Sequence, residues 1–242
     1  MKGALVTGIG GGVGCSLGIE LCRQGWSVFG ICQKIHPRVD ALRKEIAANG
    51  GSLEIQVCDF TDTQAVEKLN PWLEKIAPSL DAFVHLAAPR LTLEPIWRTT
   101  AVSFDAQWQV GARAAFQMAH SILRPMSKKE KAHWIFVLSE VTLGNPPKGM
   151  CGYVAGKYAL LGLAQAIAAE YAPRIRVACL SPSIMDTELL GDLPETAKQL
   201  LVKATEGRGF MPIETLVREI LSALETDDAA SPMNRPVVSM SK

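Results

Sequence analysis

Six short apolar runs, alternating with segments of helical pattern, constrain this chain more than any other feature. They read GALVTG (3–8), WSVFGIC (26–32), LEIQVCDF (53–60), LDAFVHLAA (80–88), HWIFVLSE (133–140) and RIRVACLSP (174–182). Strands that are apolar throughout need cover on both faces, and the intervening helices can supply it. The pattern predicts βαβ units and an α/β fold built on a doubly wound parallel sheet. Helices are expected at 13–24, within HPRVDALRKEIAANG, within DTQAVEKLNPWLEKIA, from about Phe104 to Leu123, and up to about Tyr171. Pro71 should bend or divide the third of these. No linker, internal repeat or low-complexity stretch interrupts the 242 residues, so one domain spanning 1–242 is expected.

Bulk properties exclude several function classes. Hydrophobic residues make up 48% and charged residues 20%, as in a globular protein rather than a disordered one. The formal charge is +1 with no run of five like charges, which argues against nucleic acid or an anionic membrane as partner. The six cysteines (15, 22, 32, 58, 151, 179) form no CxxC pair or zinc spacing, and the four histidines are scattered. Reduced thiols in a cytoplasmic protein without a metal site are the expectation. The start, MKGALVTGIGGGVG, has no apolar segment of signal-peptide length. The longest apolar region, YALLGLAQAIAAEYA, is broken by Gln165 and Glu170 and is too short to span a bilayer.

Chemistry enters at VTGIGGGVG, between the first strand and the first helix. Gly8, Gly12 and Gly14 permit a tight turn, close approach of a pyrophosphate and close helix–sheet packing. The helix that follows offers free N–H groups and the positive end of its dipole to phosphate. In this position the loop predicts a dinucleotide site in a Rossmann-type domain. At the end of the second strand, an acid would bind the ribose hydroxyls of NAD and repel a 2′-phosphate. The chain instead has Cys32, Gln33 and Lys34, with Arg38 nearby, and so favours NADP(H), with NAD(H) left open. Asp59 in CDFTD can bond an adenine amino group or cap a turn.

A second constellation is GYVAGKYA. On a helix, Tyr153 and Lys157 share a face. The ammonium is expected to lower the pKa of the phenol, which could then exchange a proton with a carbonyl or hydroxyl. Ser139, at the end of the fifth strand, would lie beside this helix start and bond the substrate oxygen. A lone Tyr-x-x-x-Lys is ordinarily a surface pair. Here it converges with the glycine loop and the serine.

These motifs resemble the short-chain dehydrogenase/reductase family over nearly the whole chain. TGIGGGVG matches the family's TGxxxGxG loop, YVAGK its YxxxK, and Asp59 its adenine-contacting aspartate. The resemblance implies that Ser139 orients the substrate, Tyr153 is the acid/base, and Lys157 holds the nicotinamide ribose while tuning the tyrosine. It implies a cofactor site of Gly8, Gly11, Gly12, Val13, Gly14, Gln33, Lys34, Asp59, Phe60, Ala87 and Lys157. SPSIMDT corresponds to the family's PGxxxT, placing Pro182, Ser183 and Thr187 against the nicotinamide. A substrate lid is expected at about 184–212, with Leu189, Leu190, Leu193, Leu200, Leu201, Phe210 and Met211 suited to a partly apolar substrate or to packing. The family's corresponding helices form dimer or tetramer interfaces, which implies a homo-oligomer, expected to be a homotetramer with a dimer as the other possibility. Ala112, Ala114, Ala115, Ala164 and Ala168 are candidates for its interface, or for packing on the chain's own sheet.

The chain also departs from the family. NNAG after the fourth strand is HLAA, with His85 and Leu86 in place of two asparagines. The relay asparagine of the long helix aligns with Gly111, the glycine of the PG pair is Ser183, and SPMNRPVVSMSK lacks the usual glycine-rich ending. The expected function is an NADP(H)-dependent oxidoreductase that interconverts a ketone and a secondary alcohol, a ketoreductase acting on a partly apolar or acyl substrate. The alternative is a catalytically impaired relative acting as a sensor or partner subunit.

Overall fold

The computed structural model describes residues 2–144, 146–203, 205 and 208–226, together with the backbone of 235–237. Seven parallel strands form one sheet: β1 (Gly3–Thr7), β2 (Ser27–Cys32), β3 (Ser52–Val57), β4 (Leu80–His85), β5 (Ala132–Val137), β6 (Ile175–Pro182) and β7 (Arg235–Val237). Their order is β3-β2-β1-β4-β5-β6-β7. The chain winds outward in one direction from β1 and then, from β4, in the other. The crevice where the direction reverses therefore opens at the carboxyl ends of β1 and β4, where open α/β sheets bind ligands.

The strands end where chemistry begins. β3, β4 and β5 stop at Val57, His85 and Val137, earlier than the apolar runs suggest. Asp59, Ala87 and Ser139 thus lie in loops just past strand ends. β1 and β5 are buried at every position, whereas β3 at the sheet edge alternates between exposed and half-buried residues. Within the central strands the side chains divide by parity. Leu5, Phe83, Trp134 and Phe136 point into one layer with Met118, Ile122 and Leu160. Ala4, Val6, Val84 and Ile135 point into the other with Leu17, Leu21, Leu216 and Ile220. Period-two alternation places helices on both faces of the sheet.

The helices are α1 (Gly12–Arg23), α2 (Pro37–Ala48), α3 (Thr63–Glu67), α4 (Asn70–Ile76), α5 (Ala101–Trp108), α6 (Ala114–Met126), α7 (Cys151–Tyr171), α8 (Glu195–Lys203) and α9 (Ile213–Glu225). Asp62 caps α3 by accepting from the N–H groups of Gln64 and Ala65. Pro71 divides the expected third helix into α3 and α4, sitting in the first turn of α4 where its missing N–H costs nothing. The long helix expected from Phe104 to Leu123 is also interrupted: a π-helical turn, Gln109–Arg113, joins α5 to α6. Helix propensity could not reveal it, because π turns are made by tertiary context. The alanines proposed as an oligomer interface instead face inward. Ala112, Ala114, Ala115 and Ala164 are buried in the chain's own core, and Ala168 packs against it.

Candidate active site

Gly8 closes β1 in the left-handed region, at φ 71°, where a side chain would be strained. A Cβ on Gly14 would come within 2.2 Å of the Gly8 carbonyl, so the turn admits only glycine there. Gly11 then caps α1 without a side chain, leaving the first N–H groups of the helix open to the cavity. One of them already holds an oxyanion: the Glu188 carboxylate accepts from the Gly12 N–H at 3.2 Å. The loop is thus built to receive anionic oxygen, as a dinucleotide's phosphates require.

Ser139 follows β5 by two residues, and Tyr153 and Lys157 occupy the first two turns of α7. All three line a single cavity of about 930 Å³. The same cavity is lined by Gly8, Gly11, Gly12, Val13, Gly14, Gln33, Lys34, Asp59, Phe60, Ala87, Pro182, Ser183 and Thr187. The catalytic and cofactor-site residues expected from the sequence therefore line one cavity, although they are drawn from segments up to 179 positions apart, whereas the lid residues Leu193, Leu200, Phe210 and Met211 do not line it.

The electrostatics differ from expectation in one respect. Burial pushes the Tyr153 phenol above its ordinary pKa, and the Ser139 hydroxyl pulls it part of the way back. The net shift is upward, against the expected lowering. Lys157 Nζ instead donates to the Val137 carbonyl at 2.8 Å and lies 5.6 Å above the centre of the tyrosine ring. Burial also brings Lys157 itself from 10.5 down to about 8, so its positive charge is only partly retained above neutral pH. Cavity-lining Cys58 is pushed up to about 11 by burial, and Cys32 is also raised, which leaves both as poor nucleophiles.

Asp59 accepts from Gln33 Nε2 at 2.9 Å and from Thr61 N at 2.9 Å, with the Thr61 hydroxyl at 2.8 Å. Burial raises its pKa, but these bonds prevail and hold it below the usual range. It therefore orders its own turn while lining the cavity. Lys34 is exposed at the rim, whereas Arg38 is committed to Glu188.

Sequence patterns did not single out several residues at the site. Glu188 binds both Arg38 and the first turn of α1. Glu140, next to Ser139, receives Arg208 Nη1 at 2.7 Å and Nη2 at 3.3 Å. Arg90 pairs with Asp192. Each contact joins residues far apart in sequence, and a solitary charge in a loop carries no periodic signal. His85, which the sequence marked only as a departure from the family motif, is 1% exposed, with its Nδ1 2.9 Å from Thr7 Oγ1.

The family model described as "short chain dehydrogenase" matches residues 2–198. Tropinone reductase-like 3 of Erythroxylum coca is 25% identical over 232 residues, covering 95% of this chain and 88% of the relative. Cyclopentanol dehydrogenase of Comamonas testosteroni is 29% identical over 240 residues, covering 95% and 91%. Among solved structures, levodione reductase superposes with a TM-score of 0.86 at 18% identity over 98% of this chain and 96% of that one. A metagenomic short-chain oxidoreductase in complex with NADP gives 0.79 at 20% identity, covering 98% and 96%. With its glycine cradle and parallel sheet of the same shape, this chain belongs to the short-chain dehydrogenase/reductase family of oxidoreductases, whose cofactor is a nicotinamide dinucleotide, NAD(P)(H).

Proposed function

We propose that the chain is an NADP(H)-dependent ketoreductase that interconverts a ketone and a secondary alcohol on a partly apolar or acyl substrate. The observation that carries this reading is the convergence of Ser139, Tyr153 and Lys157 with the glycine loop in one cavity. When bound, the nicotinamide supplies or accepts a hydride at its C4 carbon. Ser139 holds the substrate oxygen by hydrogen bonding. Tyr153 donates its phenolic proton to that oxygen in the reductive direction and takes it back in the oxidative one. A phenol kept protonated by burial suits the donor role. Lys157 holds the nicotinamide ribose.

Preference for the 2′-phosphate is supported by Lys34 at the cavity rim and by the lack of an acid after β2. Arg38 is available once it leaves Glu188. The relatives include an NADPH-dependent pterin aldehyde reductase of Arabidopsis thaliana, 25% identical over 186 residues. We assign the substrate lid to about 184–212, of which residues 204, 206 and 207 lie outside the described residues. It is held by the Leu189 carbonyl, which accepts from Leu91 N at 2.8 Å, and by an apolar cluster that joins Leu190 and Leu201 to Leu91, Met150 and Tyr153. These residues suit an apolar substrate body. Among the described residues no helix is long and apolar enough to cross a membrane. The free cysteines, which suit a reducing compartment, are the ground on which we place the protein in the cytoplasm.

The test combines fluorescence titration of NADPH and NADH with turnover on a panel of ketones. Tyr153→Phe should keep NADPH affinity and lower turnover by at least about 100-fold. Undiminished turnover would remove Tyr153 from the mechanism, and tighter NADH than NADPH would overturn the cofactor preference. Binding without turnover across the panel would favour the sensor reading.

A further inference from the structure

The pairing of β5 with β6 ends just short of the site. Val137 opposite Leu180 is the last register pair, and a bond from Leu138 N to the Leu180 carbonyl follows it at 2.7 Å. Past that bond the β5 side carries Ser139 and the β6 side carries Pro182 and Ser183, all three of which line the cavity. Ser139 is extended (φ −168°, ψ 157°) and opens a 3₁₀ turn, Glu140–Thr142. A serine in such a place ordinarily folds its hydroxyl back onto the first N–H groups of the turn. Ser139 makes no such bond. The turn is closed from its other end: Thr142 N donates to the Ser139 carbonyl at 3.0 Å, and Thr142 Oγ1 donates to the same oxygen at 2.8 Å. Ser139 is thus held by its carbonyl, which leaves its hydroxyl for the cavity.

Thr142 Oγ1 also lies 3.0 Å from Ser181 Oγ, in the last turn of the strand before Pro182. A carbonyl only accepts, so the single proton of Thr142 goes to Ser139, and the bond between the two hydroxyls must run from Ser181 to Thr142. The chain therefore has one direction, from Ser181 through Thr142 to the Ser139 carbonyl. Thr142 is 7% exposed and Ser181 0%, and neither lines the cavity. In a buried chain of this kind each bond polarises and strengthens the next.

We propose that Thr142 and Ser181 are positioning residues for the carbonyl–alcohol reaction: their hydroxyl chain takes over where the β5–β6 backbone ladder stops, and ties the peptide of Ser139 to the Pro182–Ser183 segment assigned to the nicotinamide. This rests on reading Ser139 as the group that holds the substrate oxygen. Neither hydroxyl touches the reacting atoms. Hydride transfer requires the substrate carbon and the nicotinamide to be in register, and a misplacement of about 1 Å can cost about 100-fold in rate.

Two measurements test it. The first needs neither cofactor nor turnover: hydrogen exchange at the N–H groups of Thr142 and Leu143, which donate to the Ser139 and Glu140 carbonyls. Thr142→Val and Ser181→Ala should each speed this exchange by about 10-fold, and Thr142→Ser, which keeps the hydroxyl, should leave it near the wild-type rate. Exchange unchanged in both Thr142→Val and Ser181→Ala overturns the proposal. The second is kinetic. Thr142→Val and Ser181→Ala should each lower kcat by about 10-fold, with KM for the best ketone of the panel within about 3-fold, and Thr142→Ser should retain most of the rate. Because both residues act along one chain, the double variant should lose no more than the worse single one. Unchanged kcat in both single variants, losses that multiply in the double variant, or a Thr142→Ser rate as low as that of Thr142→Val overturns the proposal. Should Thr142→Val fail to fold, Ser181→Ala, which removes one oxygen atom, decides by the same two readings. If Tyr153→Phe leaves turnover intact, the functional reading fails, whereas the exchange rates of the unliganded protein still decide the hydroxyl chain.

Discussion

Lys157 shows how one residue can serve the site at the expense of the fold. Its ammonium is buried with one protein acceptor, the Val137 carbonyl, and its pKa falls from 10.5 to about 8. Below pH 8 the lysine is protonated in both native and unfolded chains, and the native state carries the burden of burying that charge. Between about 8 and 10.5 the unfolded chain binds more protons than the native one, so stability rises with pH through this window. Lys157→Met removes the effect. At pH 7 the apo variant should be more stable than wild type by on the order of 1–3 kcal/mol, after allowing for the lost bond to Val137. The gap should shrink as pH approaches 10, and turnover should be lost. Urea unfolding at pH 7 and pH 10 measures both limits. A gap independent of pH would mean that the charge is not buried as described.

At the scale of elements, the segment beginning at Thr187 meets the first turn of α1 through one side chain. Glu188 sits between the Gly12 N–H and Arg38. Burial works to raise its pKa, but the bonds from Arg38 and the backbone prevail and keep it ionised. An incoming phosphate must displace this carboxylate from the helix start. Both partners of the Arg38–Glu188 pair are close to half exposed, so the pair itself is worth little, and most of the competition lies in the helix-terminal charge. Glu188→Gln should tighten the dinucleotide by about 2- to 5-fold in a fluorescence titration. An unchanged dissociation constant would show that the side chain leaves without cost. The elements also show what a sequence discloses. The central strands were legible because burial on both faces forces them to be apolar throughout. The glycine loop and the Tyr153–Lys157 pair were legible because their spacing is local. The π turn, the Glu188 contact and the environment of His85 were not, because each depends on residues brought together by the sheet.

For the whole molecule, the α5–α6 pair has two apolar sides. Its alanines at 112, 114 and 115 are buried against the sheet, while Phe104, Trp108 and Phe116 are exposed at 42%, 47% and 52%. Helices that are apolar all round are normally buried on all sides, and large exposed aromatics on a globular surface mark an interaction face. The expectation of a homo-oligomer therefore moves from the alanines, which the chain's own core consumes, to the aromatics outside them. The sequence could not separate the two, since both sets are simply apolar residues on a helix; only the direction in which each points distinguishes them. A stable dimer buries about 1,600 Å² in all, which needs such a face on each copy. Wild type should sediment as an oligomer at micromolar concentration. Trp108→Glu combined with Phe116→Glu should give a monomer that retains its helical circular dichroism, because neither side chain is part of the buried core. A wild-type monomer would assign the aromatics to a different partner, and an unaffected oligomer would place the interface elsewhere on the surface.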